Sequence, residues 1–117
     1  MTGIEWLIEA FGCADARLQD QDVLEDLFET IVNRMELKPV GDSVWHQFPE
    51  NRGLTGVWLL QESHLTIHTF PEYRSACLNI FCCTPRPALD WRATLFESLG
   101  ATDTKVFEHK RVYHRRS

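Results

Sequence analysis

Several things are missing from this chain. No apolar run approaches the ~20 residues that a helix needs to cross a bilayer, so a membrane-spanning helix is not expected. Positive charge is scarce: 12 Lys and Arg stand against 17 Asp and Glu, a formal net charge of -5. That argues against a nucleic-acid binder, which presents a basic face. Arg111, His114, Arg115 and Arg116 form the one basic cluster, read as a solvated tail rather than as an RNA or lipid contact. The N-terminus carries Glu5 and Glu9 and no basic stretch, so no signal peptide is expected and the cytoplasm is the expected location. The four cysteines, Cys13, Cys77, Cys82 and Cys83, include no CxxC pair and match no metal-site spacing. Adjacent cysteines such as Cys82 and Cys83 make strained disulfides, and reduced thiols are expected of a cytosolic chain. No repeat, low-complexity segment or Pro/Gly/Ser linker divides the sequence, so residues 1–117 are expected to form one domain.

What is present is an alternation of strand and helix patterns. Ile4 to Phe11 reads as a strand closed by Gly12. Val23, Leu24, Leu27, Phe28, Ile31, Val32 and Met35 recur at helical spacing, which predicts a helix over 20–35. Asp22 with Glu25 has the form of a capping box, and Asp20 is the competing cap. Strands are predicted at Ser43–Phe48, Leu54–Gln61, Leu65–Phe70 and Ser75–Cys83. A second helix is predicted over Ala88–Leu99, stopped by Gly100. A weaker strand follows at Thr104–Tyr113. This order predicts an α+β two-layer sandwich: a mostly antiparallel sheet with two helices on one face.

The run Val57-Trp58-Leu59-Leu60 is apolar at both parities of a strand. Helices cover only one face of such a sheet, so the other face needs an apolar cover. A second copy of the chain, giving a homodimer, is the simplest one. A loop or the tail is the alternative.

Chemistry-bearing residues concentrate between Gly53 and Cys83. If Leu65 and Ile67 point to the core, then His64, Thr66 and His68 lie on the opposite face. The same rule puts Leu78, Ile80 and Cys82 inward and Cys77, Asn79, Phe81 and Cys83 outward. His68 and Cys83 then share a face, with Cys82 on the other. Several readings of this set stay open from the residues alone. His64, His68 and Cys83 lack a standard zinc spacing. Ser63 lacks a G-x-S-x-G frame for hydrolysis. On composition alone, His68 as an ordinary hydrogen-bonded sheet histidine is the favoured reading.

The string GLTGVWLLQESHLTIHTFPE, with NIFCC downstream and WHQFP at Trp45–Pro49 upstream, resembles the prokaryotic S-adenosylmethionine decarboxylases, which are pyruvoyl enzymes. The resemblance covers nearly the whole chain. It implies self-cleavage between Glu62 and Ser63 into fragments 1–62 and 63–117, with Ser63 converted to the pyruvoyl cofactor. It further implies that the Thr55 hydroxyl assists, that His68 promotes elimination of the ester, and that Cys83 protonates the product carbon. Phe48, His64, Phe70 and Glu72 are the implied substrate-binding residues, and no metal is implied. The pyruvoyl carbonyl would form a Schiff base with the substrate amine and accept the electrons left by decarboxylation. The product would be the aminopropyl donor of spermidine synthesis. Asn79 stands where the family pattern has Asp, Phe70 where it has Trp, and Arg74 and Thr84 where it has Gly. Phe70 and its neighbours bear on the substrate, so ornithine or arginine is the alternative substrate. An uncut homologue with a binding or regulatory role is the alternative class.

Overall fold

Residues that alternate in burial build a sheet, and one helical stripe covers it. The computed structural model describes residues 2–115. Its strands are β1 (Thr2–Phe11), β2 (Val44–Gln47), β3 (Leu54–Leu60), β4 (Ser63–Phe70), β5 (Ser75–Cys82) and β6 (Asp103–Val112). They form one antiparallel sheet in the order β2-β3-β4-β5-β1-β6. The N-terminal strand thus lies between β5 and the last strand. Three helices accompany the sheet: α1 (Asp15–Leu18), α2 (Gln21–Arg34) and α3 (Trp91–Leu99). The α+β two-layer arrangement is as expected, with the short α1 an addition.

The boundaries follow from caps. Asp20 is the cap of α2, accepting from the Asp22 amide at 3.0 Å, so the Asp22–Glu25 box is not the one used. Asp90 accepts from the Ala93 amide at 3.1 Å, which starts α3 at Trp91 rather than Ala88. Gly100 closes α3 with φ 73°, the left-handed stop the sequence indicates. The last strand runs the full ten residues to Val112. It takes Arg111 out of the tail: Arg111 pairs with Glu5 across β1 at 2.7 Å. Arg116 lies outside the described residues.

The core is the contact between α2 and the sheet. Leu24, Leu27, Phe28, Ile31 and Val32 of α2 meet Ile8, Leu65, Ile67, Leu78 and Ile80. Phe28 also touches the Trp45 ring, with centroids 4.8 Å apart. Trp45 lies so close over Gly56 that an added Cβ would sit 2.2 Å from the indole, which explains glycine inside a strand. Thr69 is buried yet satisfied. It accepts from the Leu54 amide and donates to the Leu18 carbonyl, both at 2.8 Å, tying the β3–β4 hairpin to α1.

Among the described residues, no helix covers the opposite sheet face. Leu7, Phe11, Val57, Leu59, Phe70 and Phe107 are exposed large apolar residues there. Val57 and Leu59 are 42% and 59% exposed, while Trp58 and Leu60 turn to the helices. The strand that reads apolar at both parities therefore does leave apolar side chains uncovered.

Candidate active site

The β3–β4 hairpin sets the geometry. Leu60 pairs with Ser63, leaving Gln61 and Glu62 as a two-residue turn. The turn is braced from outside: the Gln61 amide donates to the Lys38 carbonyl at 2.9 Å, and the Val40 amide to the Leu59 carbonyl at 2.8 Å. Glu62 is exposed and Ser63 half-buried. The Glu62–Ser63 peptide therefore sits at the open tip of a hairpin, outside the inner ladder.

β4 begins at Ser63, two residues before the start the sequence indicates, and the earlier start fixes the faces. Ser63 shares its parity with Leu65 and Ile67, so it turns to the helix-covered side. Its cross-strand partner is Cys82, which is buried at 2% exposure. Burial pushes the Cys82 thiol up, against weaker opposing effects from Arg86 and the Ser63 hydroxyl. Cys82 is thus a neutral thiol next to the Ser63 side chain. Alternation assigns Cys82 inward, but only the register shows that it faces Ser63. Cys83 follows just beyond β5, half-buried, with its carbonyl accepting from the Tyr113 hydroxyl at 3.1 Å.

His64 and His68 both lie on the open face, as alternation requires, in different rows of the sheet. His64 pairs with Phe81, and the two rings stack with centroids 6.2 Å apart and 24° between planes. His64 Nε2 is 2.7 Å from Asn79 Oδ1. Asn79 Nδ2 donates to Glu5 Oε2 at 2.7 Å. Arg111 Nη1 donates to Glu5 Oε1 at 2.7 Å. This line crosses β4, β5, β1 and β6. Asn79 Nδ2, then Arg111, hold the Glu5 carboxyl below its ordinary range. An open cavity of about 270 Å³ lies here, lined by Glu5, His64, Phe81, Arg111, Val112 and Tyr113. Glu5, Arg111 and Tyr113 escape a reading confined to Gly53–Cys83. They come from the two chain ends, which only the pairing of β1 with β5 and β6 brings in.

The remaining candidates sit at the other end of β4. His68 pairs with Thr55, and Thr55 Oγ1 is 3.1 Å from His68 Nδ1. Phe70 ends the strand and Glu72 occupies the 3-10 turn Pro71–Tyr73. Asn51 Nδ2 donates to Glu72 Oε2 at 2.6 Å. Phe48 stands edge-on to His46 at 4.9 Å. Arg74 closes the 3-10 turn in the left-handed region, at φ 51°, and is exposed at this same end.

These two groups do not meet within one chain. Five steps along β4 separate Ser63 from His68, roughly 17 Å, and seven separate it from Phe70, roughly 23 Å. Ser63, Glu62, His64 and Cys83 form one end of the site. Thr55, His68, Phe70, Phe48 and Glu72 form the other.

A family profile described as S-adenosylmethionine decarboxylase matches residues 4–112. The S-adenosylmethionine decarboxylase proenzyme of Archaeoglobus fulgidus is 37% identical over 83 residues, 71% of this chain and 72% of that protein. The proenzyme of Geobacillus kaustophilus is 35% identical over 105 residues, 86% of this chain and 79% of that protein. In three dimensions the chain is similar to the adenosylmethionine decarboxylase of Aquifex aeolicus VF5, with TM-score 0.80 and 26% identity. That match covers 98% of this chain and 95% of the other. With a match over nearly its whole length and the Glu62–Ser63 bond at a hairpin tip, the chain belongs to the S-adenosylmethionine decarboxylase family.

Proposed function

We propose that this chain is a proenzyme that cuts itself between Glu62 and Ser63 and then decarboxylates S-adenosylmethionine. The observation that carries the reading is the placement of the Glu62–Ser63 peptide. It lies at an exposed hairpin tip, where cutting touches only the terminal Leu60–Ser63 pair of the β3–β4 ladder. In the processing step Ser63 Oγ bonds to the Glu62 carbonyl carbon and the C–N bond breaks, leaving an ester. A base takes the Ser63 α-proton and the ester C–O bond breaks, freeing the Glu62 carboxylate. Water then replaces the residue-63 nitrogen, which leaves as ammonia.

The residues present fit a pyruvoyl group at position 63. It would head β4 at the freed hairpin tip, with Cys82 beneath it and Cys83 one residue further on. When formed, it supplies an electron sink for the carbanion that remains when CO₂ departs. Cys83 delivers the proton to that carbon as a positioned thiol. Thr55 and His68, joined at 3.1 Å, assist the cleavage and the elimination. Phe48 and Phe70 give aromatic faces for the adenine and the sulfonium. Glu72 keeps Oε1 for the ribose hydroxyls while Asn51 holds Oε2.

We assign the working form as a homodimer whose sites are completed across the two chains. A base must come within about 3 Å of the proton it takes, and His68 is roughly 17 Å along the strand from its own Ser63. His64 at one end and Thr55, His68 and Phe70 at the other lie on the uncovered apolar face, and Ser63, whose side chain turns to the helices, lies at the end of its strand beside the exposed hairpin turn. A second copy packed there in the reverse sense would set Thr55, His68, Phe70 and Glu72 of one chain against Ser63 of the other. The location we assign is the cytoplasm; no helix among the described residues is long and apolar enough to cross a membrane. Ornithine or arginine would need a free carboxylate for the distal cation. Asn79 supplies none, Glu5 beside it is already paired with Arg111, and Arg74, at the end of the Glu72 turn, would repel a second cation, so adenosylmethionine is favoured.

The test is mass spectrometry followed by CO₂ release from adenosylmethionine, ornithine and arginine side by side. Fragments 1–62 and 63–117, the second with a blocked N-terminus, are expected, with turnover of adenosylmethionine. An uncut chain that still turns over substrate would refute the mechanism. Release from ornithine or arginine alone would refute the substrate.

A further inference from the structure

The line Arg111–Glu5–Asn79–His64 has a direction fixed by chemistry. A carboxylate can only accept hydrogen bonds. Glu5 is held ionised by its two donors. Asn79 must therefore turn its NH₂ toward Glu5, which leaves its carbonyl oxygen for His64. An oxygen acceptor 2.7 Å from His64 Nε2 requires that Nε2 carry the hydrogen. In the neutral ring Nδ1 is then bare. The ring plane is also held, because it stacks on Phe81. His64 neighbours Ser63 in the chain and borders the same cavity as Tyr113, whose hydroxyl holds the Cys83 carbonyl.

We propose that Glu5, Asn79 and Arg111 are positioning residues that fix His64 in one orientation as its Nε2–H tautomer, reserving Nδ1 as an acceptor at the Ser63 end of the site. The functional half of this rests on the decarboxylase reading above; the tautomer itself does not. The donor order is a property of the whole line, so changing a residue two strands away inverts the histidine. In Glu5→Gln, Arg111 still needs an acceptor and keeps the side-chain oxygen at position 5. The new amide NH₂ there then faces Asn79, which turns over to accept from it. Asn79 Nδ2 now donates to His64, and the ring must move its hydrogen to Nδ1. Adding Asn79→Asp undoes this. An acceptor-only side chain at position 79 takes one hydrogen bond from the amide introduced at position 5 and one from His64 Nε2–H.

Long-range ¹H–¹⁵N NMR on histidine-labelled full chain reads the tautomer directly, with Ser63→Ala as background to keep a single uncut species. The expected results are Nε2–H with Glu5 and Asn79 native, Nδ1–H in Glu5→Gln, and Nε2–H again in Glu5→Gln/Asn79→Asp. In the Ser63 chain, turnover of adenosylmethionine should fall roughly tenfold or more in Glu5→Gln and recover in the double variant, at matched melting temperature. An unchanged tautomer in folded Glu5→Gln overturns the proposal. Inversion without a change in turnover overturns the positioning role. Inversion in a chain whose native form never releases CO₂ supports the tautomer assignment and sinks the decarboxylase reading instead.

Discussion

The separation of Ser63 from His68 makes mixed dimers the sharpest perturbation. Each residue is removed in a different chain: His68→Ala in one, Ser63→Ala in the other. Alone, neither variant should cut itself, because the first lacks the elimination residue in both sites and the second lacks the nucleophile. Along β4 the two positions lie five residues apart on opposite faces, roughly 17 Å. Proton transfer needs contact at about 3 Å, so no side-chain rotation closes the gap within a chain. A shared site changes the outcome on mixing. In a mixed dimer the Ser63 of the His68→Ala chain meets an intact His68 from its partner. Random pairing of equal amounts places about half of the His68→Ala chains in mixed dimers. About half of those chains should therefore be cut, and none of the Ser63→Ala chains. Coexpression with distinguishable tags, then mass spectrometry of each tagged chain, reads this out. Purified mixed dimers in which every chain stays intact would refute the reasoning.

Other substitutions probe single links. Cys83→Ala should still yield both fragments yet lose most CO₂ release, as read by gel and decarboxylation assay. Cys82→Ala, which trims a buried thiol, should cost about 1 kcal/mol in urea denaturation and leave most turnover; equal loss of turnover from both would reverse their roles. Arg74 holds a left-handed conformation at φ 51°, so Arg74→Gly should raise the urea midpoint, worth roughly 0.5–1 kcal/mol. Glu5 has a carboxyl held below its usual 4.5, first by Asn79 and then by Arg111. A depressed carboxyl stabilises the fold above its unfolded value, and that stabilisation disappears as pH falls through the folded value. The melting temperature of the native chain should therefore drop below about pH 4.5 more steeply than that of Glu5→Gln.

Much of the fold is legible from alternation. Leu65 and Ile67 inward, His64 and His68 outward, and Cys82 inward all follow from a two-residue period, whereas Cys83 lies just past the end of β5, where the period no longer applies. Alternation assigns faces and says nothing of neighbours. The choice of Cys82 as the partner of Ser63 depends on the register of β4 against β5, which no local pattern encodes. Nor does any pattern within Gly53–Cys83 announce that Glu5 and Arg111 reach His64. Those residues are more than a hundred positions apart, and the sheet order alone makes them adjacent. The motif strings locate the chemistry, while its split into two ends of β4 is visible only as a distance.

The sheet order also explains how a chain can be cut in its middle and keep its shape. Fragment 1–62 would hold β1, β2 and β3 with α1 and α2. Fragment 63–117 would hold β4, β5 and β6 with α3. In the order β2-β3-β4-β5-β1-β6 these fragments interleave. β1 is flanked on both sides by strands of the other fragment, with ladders to β5 and β6, and β3 is joined to β4. The core is shared as well, since α2 of the first fragment packs on Leu65, Ile67, Leu78 and Ile80 of the second. Cutting at residue 62 removes a turn and leaves three ladders joining the pieces. Release of either fragment would strip β1 from between β5 and β6 and expose the face of α2, a loss comparable to unfolding. The cut protein should therefore run as one particle in a native gel and separate into two chains only in denaturant. Fragments that part in native buffer would mean that β1 does not lie between β5 and β6.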